Sequence, residues 1–168
     1  MFQDALALHH QGRLEEAARG YRSVLAAEPE HVEALLHLGV LRLGQGHPAE
    51  AEALIRKAAT IEPDSAEAQA NLAAALQAMS RYEDALVHYQ SAIELKPSLT
   101  DARFGLAACL QALGRREAAI ACYETLLAAE PAHPEANFGL AGLLDRARSE
   151  GRGDRPLSNR GRRGPRFR

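Results

Sequence analysis

Seven histidines, two cysteines and a scatter of carboxylates are the side chains of this 168-residue chain with the potential for chemistry. A metal site needs such groups at ligand spacing, as in Cys-x-x-Cys or His-x-x-x-His. No such spacing occurs. His9 and His10 are sequence neighbours that leave a helix on different sides, so they cannot chelate together. His31 and His133 hold one phase of the repeat described below, and the histidines are read as surface or groove residues. A nucleophilic cysteine needs a partner that favours the thiolate. Cys109 and Cys122 stand thirteen residues apart with no Cys-x-x-Cys and no neighbouring histidine, and they read as reduced, buried, small side chains. No phosphate-cradling glycine loop, nucleophile elbow or paired-carboxylate motif is present. The expectation is a chain without catalytic residue, metal or cofactor, and not an enzyme.

The residues around these groups belong to helices. The chain holds 34 Ala and 24 Leu against 4 Phe, 4 Tyr and no Trp, a composition of strong helix formers poor in β-branched and aromatic residues. Hydrophobic side chains make up 46%, enough to bury a core. The net charge of -2 conceals an uneven distribution: residues 149–168 carry seven arginines against Glu150 and Asp154, a net of +5, so residues 1–148 carry -7. Two cysteines make no disulfide framework. The first residues, MFQDALALHHQG, lack a basic leader, and no apolar run approaches the roughly 18 residues that cross a bilayer. A cytoplasmic location without membrane contact is expected.

Internal periodicity is the strongest signal. Pro29, Pro63, Pro97 and Pro131 follow one another at 34 residues, and other columns keep step. Ala17, Ala51, Ala85 and Ala119 fill one phase, with Tyr21, Ile55, Tyr89 and Tyr123 four residues later on the same helical face. Ala5, Gly39, Ala73, Ala107 and Ala141 form a third phase, small as close helix contact requires, and Leu38, Leu72, Leu106 and Leu140 a fourth. Gly12, Gly46, Ser80 and Gly114 separate two helices in each unit. Ser80-Arg81-Tyr82-Glu83 reads as a capping box opening the second helix, and Pro48 and Pro134 fit first helical positions. Helices are predicted over 2–10, 14–27, 32–44, 48–61, 66–78, 82–95, 100–112, 116–129 and 134–147.

These columns resemble the tetratricopeptide repeat, which places Leu-Gly/Ala in a first helix, then Ala, an aromatic and a terminal Pro. The resemblance implies an all-α, right-handed superhelical α-solenoid of about 4.5 repeats: units 1–31, 32–65, 66–99 and 100–133 and a half unit 134–147. Residues 148–168, rich in Gly and Arg and without apolar periodicity, are expected to form a disordered basic tail. The sequence departs from the family where an aromatic is expected early in the first helix, having Leu35, Gln69, Arg103 and Asn137. It departs again where Tyr is expected later, having Leu8, Arg42, Leu76, Leu110 and Leu144, which implies thinner packing and a softer array.

In this family the first helices line a concave surface that takes a ligand, through the second, fifth, ninth and twelfth positions of each unit. The second position, Glu33, Glu67, Asp101 and Glu135, reads as carboxylates opposing the helix dipole in preference to an acidic ladder for a basic peptide. The fifth and ninth are apolar and carry no Lys or Asn of the kind that clamps a carboxylate. The resemblance therefore implies a non-catalytic scaffold gripping a protein or peptide segment through Phe2, Leu36, Phe104 and Phe138 as apolar contacts and Asn71, Gln77 and Gln111 as polar ones.

The repeats are also similar to the amino-terminal repeats of bacterial O-linked N-acetylglucosamine transferase-like proteins, giving as alternative a truncated glycosyltransferase whose repeats select acceptors. The asparagine ladder of such repeats is met by Asn71 alone, with His37, Gly105 and Gly139 in the matching places. A second alternative uses the Arg-rich tail as an arm for nucleic acid. The half unit leaves Leu143 and Leu144 without a partner helix, which offers a route to self-association.

Overall fold

The computed structural model describes residues 1–153, with side chains through Ser149, and within them there are nine helices and no strand. In chain order these are α1 (Phe2–His10), α2 (Leu14–Ala27), α3 (Val32–Gly44), α4 (Pro48–Ile61), α5 (Ala66–Ala78), α6 (Tyr82–Leu95), α7 (Thr100–Ala112), α8 (Arg116–Ala129) and α9 (Pro134–Gly153). Every predicted boundary is met except the last. The final helix runs six residues past its expected end, so residues 148–153, assigned to the tail, are helical; residues 154–168 lie outside the described residues. Among the described residues no helix is long and apolar enough to cross a membrane.

Each helix packs against its hairpin partner and against the next hairpin, and α3, α5 and α7 also touch one another along one side. The assigned alanine phase lies inside these contacts. Ala17, Ala51, Ala85 and Ala119 are fully buried, as are Ala73 and Ala107. Four residues on, Tyr21, Ile55, Tyr89 and Tyr123 fill the core. Large side chains need small partners at native packing density. Gly39 receives Ile55, and Gly105 and Gly139 receive the rings of Tyr89 and Tyr123, so tightly that an added Cβ would overlap them. Ala141, in the small-residue phase, is exposed because no helix among the described residues follows α9. Leu143, expected to lack cover, is buried, and Leu144 stays 39% exposed.

The turn within each unit is a helix stop. Gly12, Gly46 and Gly114 have φ of 73°, 79° and 72°, and Ser80 joins them at 59°. The Arg81 amide reaches back to the Leu76 carbonyl at 2.9 Å and the Ser80 amide to Gln77 at 2.9 Å, closing the end of α5. The capping box is therefore corrected. Ser80 takes the left-handed place that glycine fills in the other units, and Arg81 stands at the N-cap of α6 with no side-chain cap bond. Arg81 pairs with Asp84 at 2.9 Å instead.

The departure from the family's first aromatic column is compensated by polar contacts. Gln69, Arg103 and Asn137 donate to the carbonyls of Pro63, Pro97 and Pro131 six residues earlier, at 3.1, 2.8 and 3.0 Å. In the unit with Leu35 at that place, Lys57 supplies the donor to Pro29 at 2.6 Å. Each in-phase proline follows a helix end, and its carbonyl finds a side-chain donor. Arg42, at a Tyr position, is 8% exposed and donates to Glu50 at 3.1 Å and Gln45 at 2.7 Å.

Candidate functional site

The first turns of α3, α5 and α7 come together around a cleft of about 580 Å³. Its floor is apolar, from Leu36, Val40, Ala70 and Ala74 on successive turns of neighbouring helices. These sit at the i, i+4 positions that face one way on a helix. Short alanine side chains in α5 leave the volume that longer ones in α3 would fill. Glu33, Glu67 and Asp101 stand at the rim, all exposed, and no Lys or Arg lines the cleft. Asn71 and His37 are its polar wall. The carboxylates read as dipole partners thus also border the concave surface, and the two roles coexist because the first helical turn is the groove edge.

A second hollow of about 480 Å³ opens further along the same row of first helices. It gathers three predicted contacts, Phe104, Gln111 and Phe138, with Tyr123 behind them. Phe138 is 84% exposed. Phe104 is half-buried, its ring stacked on His133 at 5.3 Å and tilted against Tyr123 at 6.1 Å.

Phe2 makes the Phe104 contacts again in the first unit, with His31 in place of His133 and Tyr21 in place of Tyr123. Its ring lies 4.9 Å from His31, 5.8 Å from His37 and 5.9 Å from Tyr21, half-buried against the first core cluster. It does not line the 580 Å³ cleft. Tyr21 stacks on His37 at 5.7 Å, and its hydroxyl meets His9 Nδ1 at 3.1 Å. Burial, then the nearby His9, pushes His37 below the ordinary histidine range, against the pull of Glu33 and Glu67. His9 is also lowered, by burial and then by His10. Uncharged imidazoles therefore suit this cluster.

Gln77 and Gln111 have internal work. The Tyr89 hydroxyl donates to Gln77 Oε1 at 2.7 Å and that of Tyr123 to Gln111 Oε1 at 3.1 Å, so each carbonyl oxygen already has a partner within its hairpin. His9 meets Tyr21 across the same twelve-residue interval, and Leu43 stands twelve before Ile55. The pairing rule is visible in the sequence: a polar twelfth position wherever the second helix has Tyr, an apolar one where it has Ile. Burial raises the Tyr89 hydroxyl well above its ordinary pKa, which holds it as a donor.

His31 and His133 also have a structural role that residue type obscured. Their Nδ1 atoms accept from the Ala34 and Ala136 amides, each at 3.3 Å, as Ser65 Oγ does from Ala68 at 3.2 Å. These are helix N-caps at one repeat phase. Cys109 is buried, its thiol pushed up to about 11 by desolvation, and Cys122 is half-buried and raised for the same first reason. Neither is an activated nucleophile. The hollow of about 660 Å³ at the Glu28–Glu33 turn recurs at the Glu130–Glu135 turn with about 400 Å³, so it belongs to the inter-repeat turn itself.

A stack of helix hairpins with an apolar, acid-bordered inner surface defines an α-solenoid. The tetratricopeptide repeat family matches residues 8–76, 42–85 and 76–138, and the chain belongs to that family. Among solved structures it is similar to MamA, with 28% identity over 89% of this chain and 84% of that one and a TM-score of 0.78. It shares the fold of PilF from Pseudomonas aeruginosa, at 23% identity, 88% and 68% coverage and a TM-score of 0.78. It shares it also with YrrB, described as a tetratricopeptide repeat protein with an unusual peptide-binding site, at 24% identity, 88% and 75% coverage and a TM-score of 0.74. No curated protein matches the chain.

Proposed function

We propose that this chain is a non-catalytic interaction scaffold that holds an extended protein segment in the groove of α3, α5, α7 and α9. The observation that carries the reading is the 580 Å³ cleft, whose floor of Leu36, Val40, Ala70 and Ala74 meets solvent between carboxylates. Val40 is 38% exposed there, and Phe138 offers a further apolar contact beyond α7. Apolar side chains of the guest fill the floor, and Asn71 meets its backbone. Phe104 and Phe138 extend the surface, Leu36 anchors it, and Gln77 and Gln111 contribute through their amide donors. Phe2, placed in its unit as Phe104 is, offers an apolar contact at the α1 end of the row. The peptide-binding site ascribed to YrrB supports the same use of this fold.

The glycosyltransferase-like alternative gains less. Gly105 and Gly139 stand where its repeats would carry asparagine, and both seat a tyrosine ring that leaves no room for a Cβ. A nucleic-acid role through the tail rests on residues outside the described ones.

Selection of a displayed random peptide library on the full chain tests the reading. Peptides recovered on the native protein should lose affinity tenfold or more on Leu36→Asp, with the helical circular-dichroism signal retained, and keep it on Val87→Asp, a position 63% exposed on a second helix. Equal loss on both variants, or on neither, overturns the assignment of the groove.

A further inference from the structure

We infer that the guest of this groove is a basic-apolar segment of another protein, one in which Arg or Lys stands among apolar side chains and Asp and Glu are absent. The inference rests on the groove reading above and deepens it by naming the chemistry of the partner.

Charge is sorted between the inner surface and the rest of the array. Residues 1–148 hold thirteen of the twenty Lys and Arg. Among the described residues none of these cations lines the 580 Å³ cleft or the 480 Å³ hollow. The same two surfaces carry four exposed carboxylates, Glu33, Glu67, Asp101 and Glu135. Elsewhere acids and bases neutralise one another, as Glu50 does with Arg42 at 3.1 Å and Glu83 with Arg115 at 2.7 Å. Of the four groove acids only Glu67 meets a Lys or Arg among the described residues, Lys96 at 3.7 Å in an exposed pair. Glu135 meets His133 Nδ1 at 3.3 Å. The dipole at each helix start offsets only about half an elementary charge, so the rim stays negative.

The apolar floor makes this charge selective. A cleft of one sign over low-dielectric walls focuses its field, which draws in cations and repels an acidic segment. Leu36, Val40, Ala70 and Ala74 accept apolar side chains, and the methylene stems of Arg and Lys also lie on such a floor while their heads reach the carboxylates. In the second hollow Phe138 follows Glu135 by three residues on one helical face. A guanidinium stacked on that exposed ring while bonded to Glu135 uses both groups at once.

Selection of a displayed random peptide library on the full chain reads this chemistry. Recovered peptides should be enriched in Arg or Lys and in apolar residues, and depleted in Asp and Glu. Replacing the arginines of a recovered peptide by citrulline and its lysines by acetyl-lysine should weaken it about tenfold, since an exposed ion pair is worth roughly 1.5- to 5-fold and several act together. The variant Glu33→Gln/Glu67→Gln/Asp101→Asn should lose a similar factor, with the helical circular-dichroism signal retained. Glu94→Gln/Glu117→Gln/Glu124→Gln, the same change of charge at exposed positions of second helices, should keep full affinity. Equal loss on the two triple variants, or affinity unchanged between ~0.05 and ~0.5 M NaCl, overturns the inference. Peptides that Leu36→Arg weakens but that carry no excess of Arg or Lys overturn it too, and leave the groove reading standing. Basic peptides indifferent to Leu36→Arg remove both.

Discussion

One chemical change, glycine to alanine within a helix, should have opposite signs at two positions of this chain. In a helix interior alanine is favoured over glycine by ~0.8–1 kcal/mol because the unfolded chain gives up less freedom. Gly142 lies in the middle of α9 with nothing within 4 Å of an added Cβ, so Gly142→Ala should gain close to that amount. Gly105 lies in the middle of α7, where the added Cβ would overlap the Tyr89 ring. Tyr89 is 5% exposed and its hydroxyl is tied to Gln77, so the ring cannot swing aside without losing a bond. Overpacking of this kind costs ~1–3 kcal/mol, which outweighs the propensity gain and leaves about 1 kcal/mol of net destabilisation. For a chain of this length, each kcal/mol moves Tm by ~2–4 °C. Thermal unfolding followed by circular dichroism should show Gly142→Ala above the parent and Gly105→Ala below it. Adding Tyr89→Leu to the Gly105 variant should recover part of the loss, with a coupling of ~1 kcal/mol in the double-mutant cycle. A Gly105→Ala protein as stable as Gly142→Ala would refute the tyrosine-on-glycine contact.

Further outcomes follow from the hydrogen bonds and the titrating groups. Tyr89→Phe should cost ~0.5–1.5 kcal/mol, and the cost should shrink when Gln77 is first changed to Leu, as denaturant titration of the two singles and the double would measure. In thiol labelling at pH 8, Cys109 should react far more slowly than in guanidinium, its thiol being buried with a pKa near 11; rapid labelling of the native protein would contradict the packing of α7. The pH dependence of stability has a definite sign. His9 and His37 both have folded pKa values below the ordinary 6.5, so the unfolded chain binds protons first, and their contribution, complete above that value, is lost as pH falls through the folded pKa values. Tm should drop between pH 7 and 5, and the drop should be smaller in His9→Gln/His37→Gln; an equal drop would mean that other groups, such as His88, set it.

The helices and their packing phase were legible in the sequence because a 34-residue rhythm repeats each decision several times. Pro29, Pro63, Pro97 and Pro131 mark one boundary, and the small and large columns fix the faces. Single-copy features were harder. Ser80 looks like an N-cap by residue type, and its glycine neighbours in phase, Gly46 and Gly114, were the better guide to its left-handed backbone. The Gln77 and Gln111 contacts with tyrosine needed a comparison across twelve residues within the unit, not across thirty-four between units. Phe2 shares a column with Leu36 and Phe104, and its packing on His31 and Tyr21 is that of Phe104 on His133 and Tyr123, residues that keep the same phase. The end of α9 was missed because Gly151 and Gly153 weaken the helical pattern, whereas the helix continues to Gly153.

The central claim is that the concave side of α3, α5 and α7 receives an extended segment. Chemical-shift mapping by NMR, with a library-selected peptide titrated into the isotope-labelled full chain, measures this most directly. The account predicts saturable shifts at Leu36, Val40, Ala70 and Ala74, with Val87 and Ile61 unmoved. Saturable shifts centred on Val87 and Ile61, with Leu36 and Ala70 silent, would contradict it.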